Sequence, residues 1–219
     1  KYYELNKSIL LRNAIRASTA APTYFIPEML DVGLGENATF VDGGVSMANN
    51  PALQLFLVAT LKSFPFRYPT GEHDLLLVSV GTGVWESRGI PHEVAENNVL
   101  DWASSVPAML MDDASWQNQL LLQYMSRTPT PWTIDREVGD LAGDLLGSEP
   151  AMTYLRYNAW LERAELEKLG LHTLKDRAVQ LREMSAAENR DALARVGEAA
   201  AAWHVLDEHF PDAFNLIGA

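Results

Sequence analysis

The stretch Phe40-Val41-Asp42-Gly43-Gly44-Val45-Ser46-Met47-Ala48-Asn49-Asn50-Pro51 combines the end of a strand, a tight turn and the start of a helix. The apolar pair Phe40-Val41 predicts the strand end, and Asp42 follows at its tip, where a carboxylate can project into a cleft. Gly43 and Gly44 allow the backbone to turn sharply and to approach another group closely. This order holds one carboxylate rigidly in the open.

A helix is predicted to leave this turn at once. Asn50 is a favoured N-cap residue, and proline is favoured at the first helical position, which Pro51 would occupy. Without its flanks, an Asp-Gly-Gly tripeptide is more typical of a structural turn, in which the Asp42 carboxylate accepts hydrogen bonds from the amides that follow it. A catalytic interpretation of Asp42 therefore depends on the sequence around it.

The flanking sequence resembles that of the patatin-like phospholipases, whose signature is D-G-G. Residues 14–25 (AIRASTAAPTYF) are similar to the family's A-x-x-A-[ST]-x-A-A-P-x-[YF]-F block, and residues 78–83 (VSVGTG) to its S-[LV]-G-T-G strand and turn. Residues 132–140 and 184–189 look like the C-terminal region of bacterial members. Three blocks in the right order make a far more specific match than the tripeptide alone.

The resemblance implies an α/β fold, a three-layer patatin-like domain whose C-terminal part occupies residues 1–98, with a mainly helical extension over residues 99–219 packed on it. It also implies hydrolysis of carboxylic esters in glycerophospholipids or acylglycerols through a Ser–Asp dyad, without a cofactor or a metal. Asp42 would be the general base, because a carboxylate can accept the serine proton and return it to the leaving group. The resemblance assigns support of the catalytic loop to Gly43, Gly44, Asn50 and Pro51.

The nucleophile of such an enzyme is absent from this chain. The family carries it in G-x-S-x-G, on a strained turn between a strand and a helix, and no serine here has glycine at both −2 and +2. The family's Gly-rich oxyanion block is missing too, and both lie upstream of D-G-G. We therefore expect a C-terminal portion of a longer protein, which supplies the serine, and no acyl-hydrolase activity in the chain alone.

The composition limits the partners. A net charge of −12 argues against nucleic acid, whose phosphates need a basic surface, and against binding to anionic bilayers by charge alone. The remaining expected partners are a lipid or acyl-ester substrate and, transiently, a membrane surface; the oligomeric state is left open. The absence of cysteine is compatible with a cytoplasmic protein, with secretion or membrane association as alternatives. The five histidines are scattered and show no metal-ligand spacing.

Four further segments carry structural predictions. Residues 74–80 (DLLLVSV) lack alternation, which predicts an interior parallel strand, buried on both faces and adjacent to the Asp42 strand. Without the upstream portion, this strand and the apolar helix face over residues 52–61 would lack partners. Val99–Tyr124 predicts a helix interrupted at Pro107, in which the apolar stretch 102–116 packs in the core or forms an acyl-chain channel or lid. Ser185-x-x-Glu188 predicts a capping box that opens a helix reaching Val205.

Two other function classes remain. The chain fits a catalytically inert fragment or pseudoenzyme that binds lipid or a protein partner, and a G-x-S-x-G segment upstream decides between this and an enzyme. D-G-G and G-T-G also occur in the phosphate loops of actin-like and sugar-kinase-like ATPases. That class predicts a Gly-Gly-rich adenosine motif near the C-terminus, where residues 185–205 are instead rich in alanine and charge. For Gly81-Thr82-Gly83, a structural turn at a strand end and a phosphate cradle are both open.

Overall fold

The computed structural model describes residues 3–85, 96, 98–183 and 185–215. The chain is 44% helical and 13% strand, with two small sheets, so the prediction of a mixed α/β protein is confirmed at that level. Two compact units divide the chain, one from residues 1–54 and 97–119 and the other from residues 55–96 and 120–219. The boundary predicted between residues 98 and 99 concerns the catalytic domain and stays a prediction.

The described residues form α-helices and strands separated by short 3₁₀ turns. The helices are α1 (Tyr3–Asn6), α2 (Leu11–Ser18), α3 (Ala52–Thr60), α4 (Val99–Tyr124), α5 (Arg163–Lys168), α6 (Ala178–Leu181) and α7 (Arg190–His204). The strands are β1 (Glu28–Gly33), β2 (Glu36–Phe40), β3 (Leu76–Val80) and β4 (Thr153–Tyr157). Within the described residues, no helix is both long enough and apolar enough to cross a bilayer.

In the first unit, β1 and β2 form an antiparallel hairpin with Glu28 opposite Phe40. The turn between them includes Leu34 at φ +60° between two glycines that also have positive φ. Strand β1 begins only at Glu28, three residues after Phe25. The reason is that the amides of Tyr24 and Phe25 both bond to the Ala21 carbonyl, so these aromatic residues belong to a turn.

Helix α4 runs unbroken through Pro107, so the predicted interruption is wrong. A proline removes one backbone donor from a helix, and the 26-residue length of α4 leaves many other turns intact. Core packing, one of the two alternatives for its apolar stretch, does not hold for every side chain. Four of these side chains are exposed in the chain as it stands, namely Trp102, Val106, Met109 and Leu110.

In the second unit, β3 and β4 pair in parallel, with Leu76 opposite Thr153 and Val80 opposite Tyr157. Strand β4 is almost completely buried. A cluster of leucines and small apolar residues from α5 to α7 and the segments between them forms a hydrophobic core. Its buried members are Leu161, Leu166, Leu171, Leu174, Ala178, Leu181, Ala192 and Val196. Gly170 follows α5 with φ +74°, the left-handed conformation that glycine commonly adopts after a helix.

The prediction for residues 74–80 is only half right. They contain a strand, β3, and its pairing is parallel, but its partner in the described residues is β4, while the partner of β2 is β1. Burial along β3 alternates, with Leu77 and Ser79 buried and Val78 and Val80 exposed by 43% and 74%. The strand is therefore not interior in this chain, because nothing in the described residues covers the Val78 face.

The predicted capping box does not form. The Ser185 hydroxyl donates to the Glu183 carboxylate, 2.6 Å away, and this bond lowers the pKa of Glu183. Helix α7 begins only at Arg190, after a 3₁₀ turn. Buried Asn189 fixes that start, since its amide group donates to the Gln180 carbonyl at 2.6 Å. Residue 184, within the resembling block 184–189, lies outside the described residues.

Candidate functional site

Asp42 lies two residues beyond the end of β2, at the junction with a 3₁₀ turn formed by Gly43–Val45. Its amide bonds to the Ala20 carbonyl at 3.0 Å, which ties the junction to the end of the α2 region. One carboxylate oxygen, Oδ1, accepts a hydrogen bond from the Gly44 amide at 2.7 Å. The side chain is partly buried, so Asp42 is held in one orientation and remains accessible.

Both glycines permit close approaches that a side chain would obstruct. A Cβ at Gly44 would lie 3.0 Å from the Asp42 Oδ1 atom, and a Cβ at Gly43 would lie 3.3 Å from the Ala48 Cβ atom. Neither glycine has the positive φ for which glycine is usually required. Their contribution is therefore space, which lets the Gly44 amide reach the carboxylate.

Two 3₁₀ turns separate Asp42 from helix α3, where the sequence predicted a direct helix start. The second turn is Met47–Asn49. The Ser46 hydroxyl links the two turns, because it donates to the Gly43 carbonyl at 2.7 Å and accepts from the Ala48 amide at 3.2 Å. No signal in the sequence pointed to this role of Ser46, since serine is common in any loop.

Asn50 closes the loop from the helix side. It is 4% exposed, and its side-chain oxygen accepts from the Ala52 amide at 3.3 Å, as a residue at a helix N-terminus does. Pro51 lies between them, and α3 begins at Ala52, one residue later than predicted. Asn50 and Pro51 therefore lie where the sequence placed them, at the helix entry beyond the Asp42 loop.

Asn118 is a buried residue of α4 whose connection to this loop the sequence did not indicate. Its side-chain nitrogen donates to the Met47 carbonyl at 2.6 Å and to the Asn50 carbonyl at 3.0 Å. One turn earlier in the helix, the Ser115 hydroxyl accepts from the Asn49 side chain at 3.0 Å. These bonds join residues about 70 positions apart, and Asn118 is one of many polar residues of α4, so no signal in the sequence singled it out.

This arrangement can serve as a proton acceptor. Asp42 Oδ2 makes no hydrogen bond to protein in the part of the chain that the structure describes, so it is available to a hydroxyl group. A carboxylate fixed by one bond and open at its other oxygen meets the geometric requirement for a general base. The site contributes no nucleophile, because none of the serines occupies a G-x-S-x-G turn.

The Gly81-Thr82-Gly83 segment is a turn whose amides are largely occupied. The Gly81 amide bonds to the Tyr157 carbonyl, and the Gly83 amide bonds to the Asn158 side-chain oxygen, both at 2.8 Å. Gly83 has φ +111°, and a Cβ there would lie 2.7 Å from Leu161. Two of the three amides are thus unavailable to a phosphate, which favours the structural interpretation of this segment.

In comparisons with known proteins, no family model matches the chain, and no curated protein sequence matches it. Function is therefore argued from the residues and the geometry above. Among the described residues, no group of three or more histidine and acidic side chains is placed to hold a metal ion.

Proposed function

We propose that this chain is the base-carrying part of a lipid acyl hydrolase of the patatin-like kind, acting on carboxylic esters of glycerophospholipids or acylglycerols. Sequence upstream of the chain supplies the serine and the oxyanion donors. The observation that carries the proposal is the Asp42 carboxylate, fixed through Oδ1 by the Gly44 amide at 2.7 Å and open at Oδ2. The proposal includes the three-layer fold, a cytoplasmic location and transient contact with a membrane surface.

In the proposed reaction, Asp42 takes the serine proton as the serine oxygen attacks the ester carbonyl carbon. It returns that proton to the departing alcohol, which leaves an acyl-serine. Asp42 then takes a proton from the water that attacks the acyl carbon and gives it to the serine oxygen as the ester bond to serine breaks, which releases the fatty acid and regenerates the serine hydroxyl. Backbone amides of the upstream segment stabilise the oxyanion in both steps. No histidine is needed, because the carboxylate itself carries the proton.

Exposed apolar side chains support the contribution of an upstream segment. Val78 and Val80 of β3 and Leu55, Leu57 and Leu61 in and just after α3 are exposed by 38–74%. Those two segments are the ones expected to lose their partners when the first part of such a domain is absent. Large apolar surfaces of this kind mark interaction sites.

The test is to replace Asp42 by Asn in the complete gene product and to measure hydrolysis of a phospholipid and of a nitrophenyl ester. Asparagine keeps the size of the side chain but cannot take the serine proton, so we expect a loss of about a hundredfold or more. Asp31→Asn is the matched control. Asp31 also accepts the amide two residues ahead, Gly33, at 2.8 Å, yet has no proposed role, so activity is expected to persist.

Two results would contradict the proposal. Near-normal turnover by the Asp42→Asn protein would remove Asp42 from the reaction. Stoichiometric labelling of a single serine in the 219-residue chain by a fluorophosphonate would show that the nucleophile lies within it. If the complete protein shows no hydrolysis and no labelling while binding lipid or a protein, the inert-fragment alternative replaces the enzyme.

A further inference from the structure

Arg156 is a partly buried cation in the second unit, and it has no acidic partner among the residues that the structure describes. Its Nη1 atom donates to the Ser79 hydroxyl at 2.7 Å. Among the described residues, its guanidinium makes no other hydrogen bond to protein, and no carboxylate lies within ion-pair distance. Burial lowers the pKa of the guanidinium, and the nearby Tyr154 side chain acts in the opposite direction. The group nevertheless stays charged at neutral pH, because arginine does not lose its proton in proteins.

Two surface arginines of the second unit do have acidic partners. Arg163 lies 2.9 Å from Asp176, and Arg190 lies 3.0 Å from Asp191, both on the surface. The contrast is physically unusual, since an exposed arginine gains little from an ion pair, whereas a desolvated one needs an anion to offset the loss of water. Arg156 therefore has an unmet need for negative charge that the surface arginines do not have.

The position of Arg156 is fixed on both sides of its backbone. Its amide donates to the Thr130 hydroxyl at 2.8 Å, and its carbonyl accepts from the Trp132 indole at 3.2 Å. Trp132 is held in turn by the side chain of Gln123, which accepts from its amide at 2.8 Å and donates to its carbonyl at 3.0 Å. The guanidinium thus projects from a rigid scaffold.

Ser79 and Arg156 also lie at a characteristic place in the sheet. They face each other in the register of β3 and β4, and each is the last residue but one of its strand. Both strands run in the same direction, so both side chains lie towards the carboxyl edge of a parallel pair. Open α/β sheets bind their ligands at that edge.

From this juxtaposition we infer that Arg156, supported by Ser79, binds a phosphate-type oxyanion at the carboxyl edge of β3 and β4. A guanidinium offers a planar fork of N–H donors that matches the oxygens of a phosphate group, and Nε and Nη2 make no protein bond in the described residues. The net charge of −12 opposes non-specific accumulation of anions, so saturable binding would report a local site. This inference does not depend on the proposed function.

Phosphorus NMR of the 219-residue chain tests the site, with inorganic phosphate and glycerophosphocholine as separate probes. We expect saturable broadening of a probe signal, lost or weakened at least about tenfold in Arg156→Gln, since a charged hydrogen-bonded contact is removed. Arg163→Gln, which changes net charge equally, is the matched control and is expected to bind normally. Binding of phosphate alone identifies a free-phosphate site, and binding of glycerophosphocholine identifies a lipid headgroup site; either supports the inference.

Arg156→Lys is a second variant, which keeps the test valid if Arg156→Gln does not fold. Lysine keeps the charge but loses the planar fork, so we expect a folded protein, checked by circular dichroism, with weakened binding. The absence of saturable binding to either probe would overturn the inference. Equal loss in Arg156→Gln and Arg163→Gln, or full affinity in Arg156→Lys, would do the same, because each would show that charge alone, without the fork, accounts for the signal.

Discussion

Strands β3 and β4 pair with each other along their whole length, yet their environments differ sharply. In β4, Thr153, Tyr154 and Leu155 are completely buried, whereas Val78 and Val80 of β3 are among the exposed apolar side chains. Composition does not explain the difference, because β3 (LLVSV) is more uniformly apolar than β4 (TYLRY). Position explains it, since nothing in the described residues covers the Val78 face of β3, whose Leu77 and Ser79 are buried, and β3 has one described neighbouring strand whereas β4 has neighbours along both edges.

Hydrogen bonds record the same asymmetry. The Thr153 amide bonds to the Leu75 carbonyl on one side of β4, and the Tyr154 amide bonds to the Arg127 carbonyl on the other, at 2.8 and 2.9 Å. An apolar strand with a free edge invites pairing with another chain. The comparison teaches that β3 has the apolar composition of an interior strand but lies at the edge of its sheet. This is the pattern expected if the proposed upstream segment pairs with β3.

The largest expected effect is the difference between a substitution in β4 and one in β3 in the free energy of unfolding. Leu155→Ala in β4 leaves a cavity in a fully buried site, and we expect a loss of about 2–5 kcal/mol in the free energy of unfolding. Val78→Ala in β3 removes a side chain that is 43% exposed, so we expect a smaller loss, of about 1 kcal/mol or less. Urea denaturation of the isolated chain measures both. Similar losses would show that the Val78 face is covered in solution.

A second expected effect concerns the exchange of backbone amides along β3. The Leu75 carbonyl and the Gly81 amide both bond to β4, and alternate residues of a strand direct their backbone groups to the same side. The amides of Leu77 and Ser79 therefore point to β4 and are expected to exchange slowly. Those of Val78 and Val80 point away and are expected to exchange quickly. Hydrogen exchange read by NMR resolves this alternation, and uniform protection would show that the free edge is occupied.

Sequence reasoning located most elements in this protein but not their surroundings. The ends of α4 match the predicted bounds, because helical spacing is a local property. The two-sided burial predicted for β3 failed, since burial depends on what lies beyond the strand, which a run of apolar residues cannot reveal. The apolar composition of residues 74–80 predicted the strand correctly but did not predict which elements lie beside it.

The candidate site divides in the same way. The strand end, Asp42 and its glycines followed from residues adjacent in sequence, as did Asn50 at the helix entry. The part played by Asn118 depends on α4 returning to a loop about 70 residues away. A sequence without an alignment contains no sign of such a pairing. The capping box failed for a related reason, because the helix begins only at Arg190, five residues after Ser185, and the Ser185 hydroxyl donates to the Glu183 carboxylate instead.

The smallest expected effect gives the sharpest test of what covers β3. Val80→Thr keeps the shape of the side chain and adds a hydroxyl, so in the isolated chain, where the site is exposed, the free energy of unfolding should change by less than about 0.5 kcal/mol. In the complete gene product, if the upstream segment packs on this face, the same hydroxyl is buried without a partner and costs about 1–3 kcal/mol. Val196→Thr, at a buried core position in α7, is the control that should cost as much in both proteins. An equally small effect of Val80→Thr in both would mean that the upstream segment does not pack on β3, and the proposed three-layer architecture would lose its support while the role of Asp42 could still be tested separately.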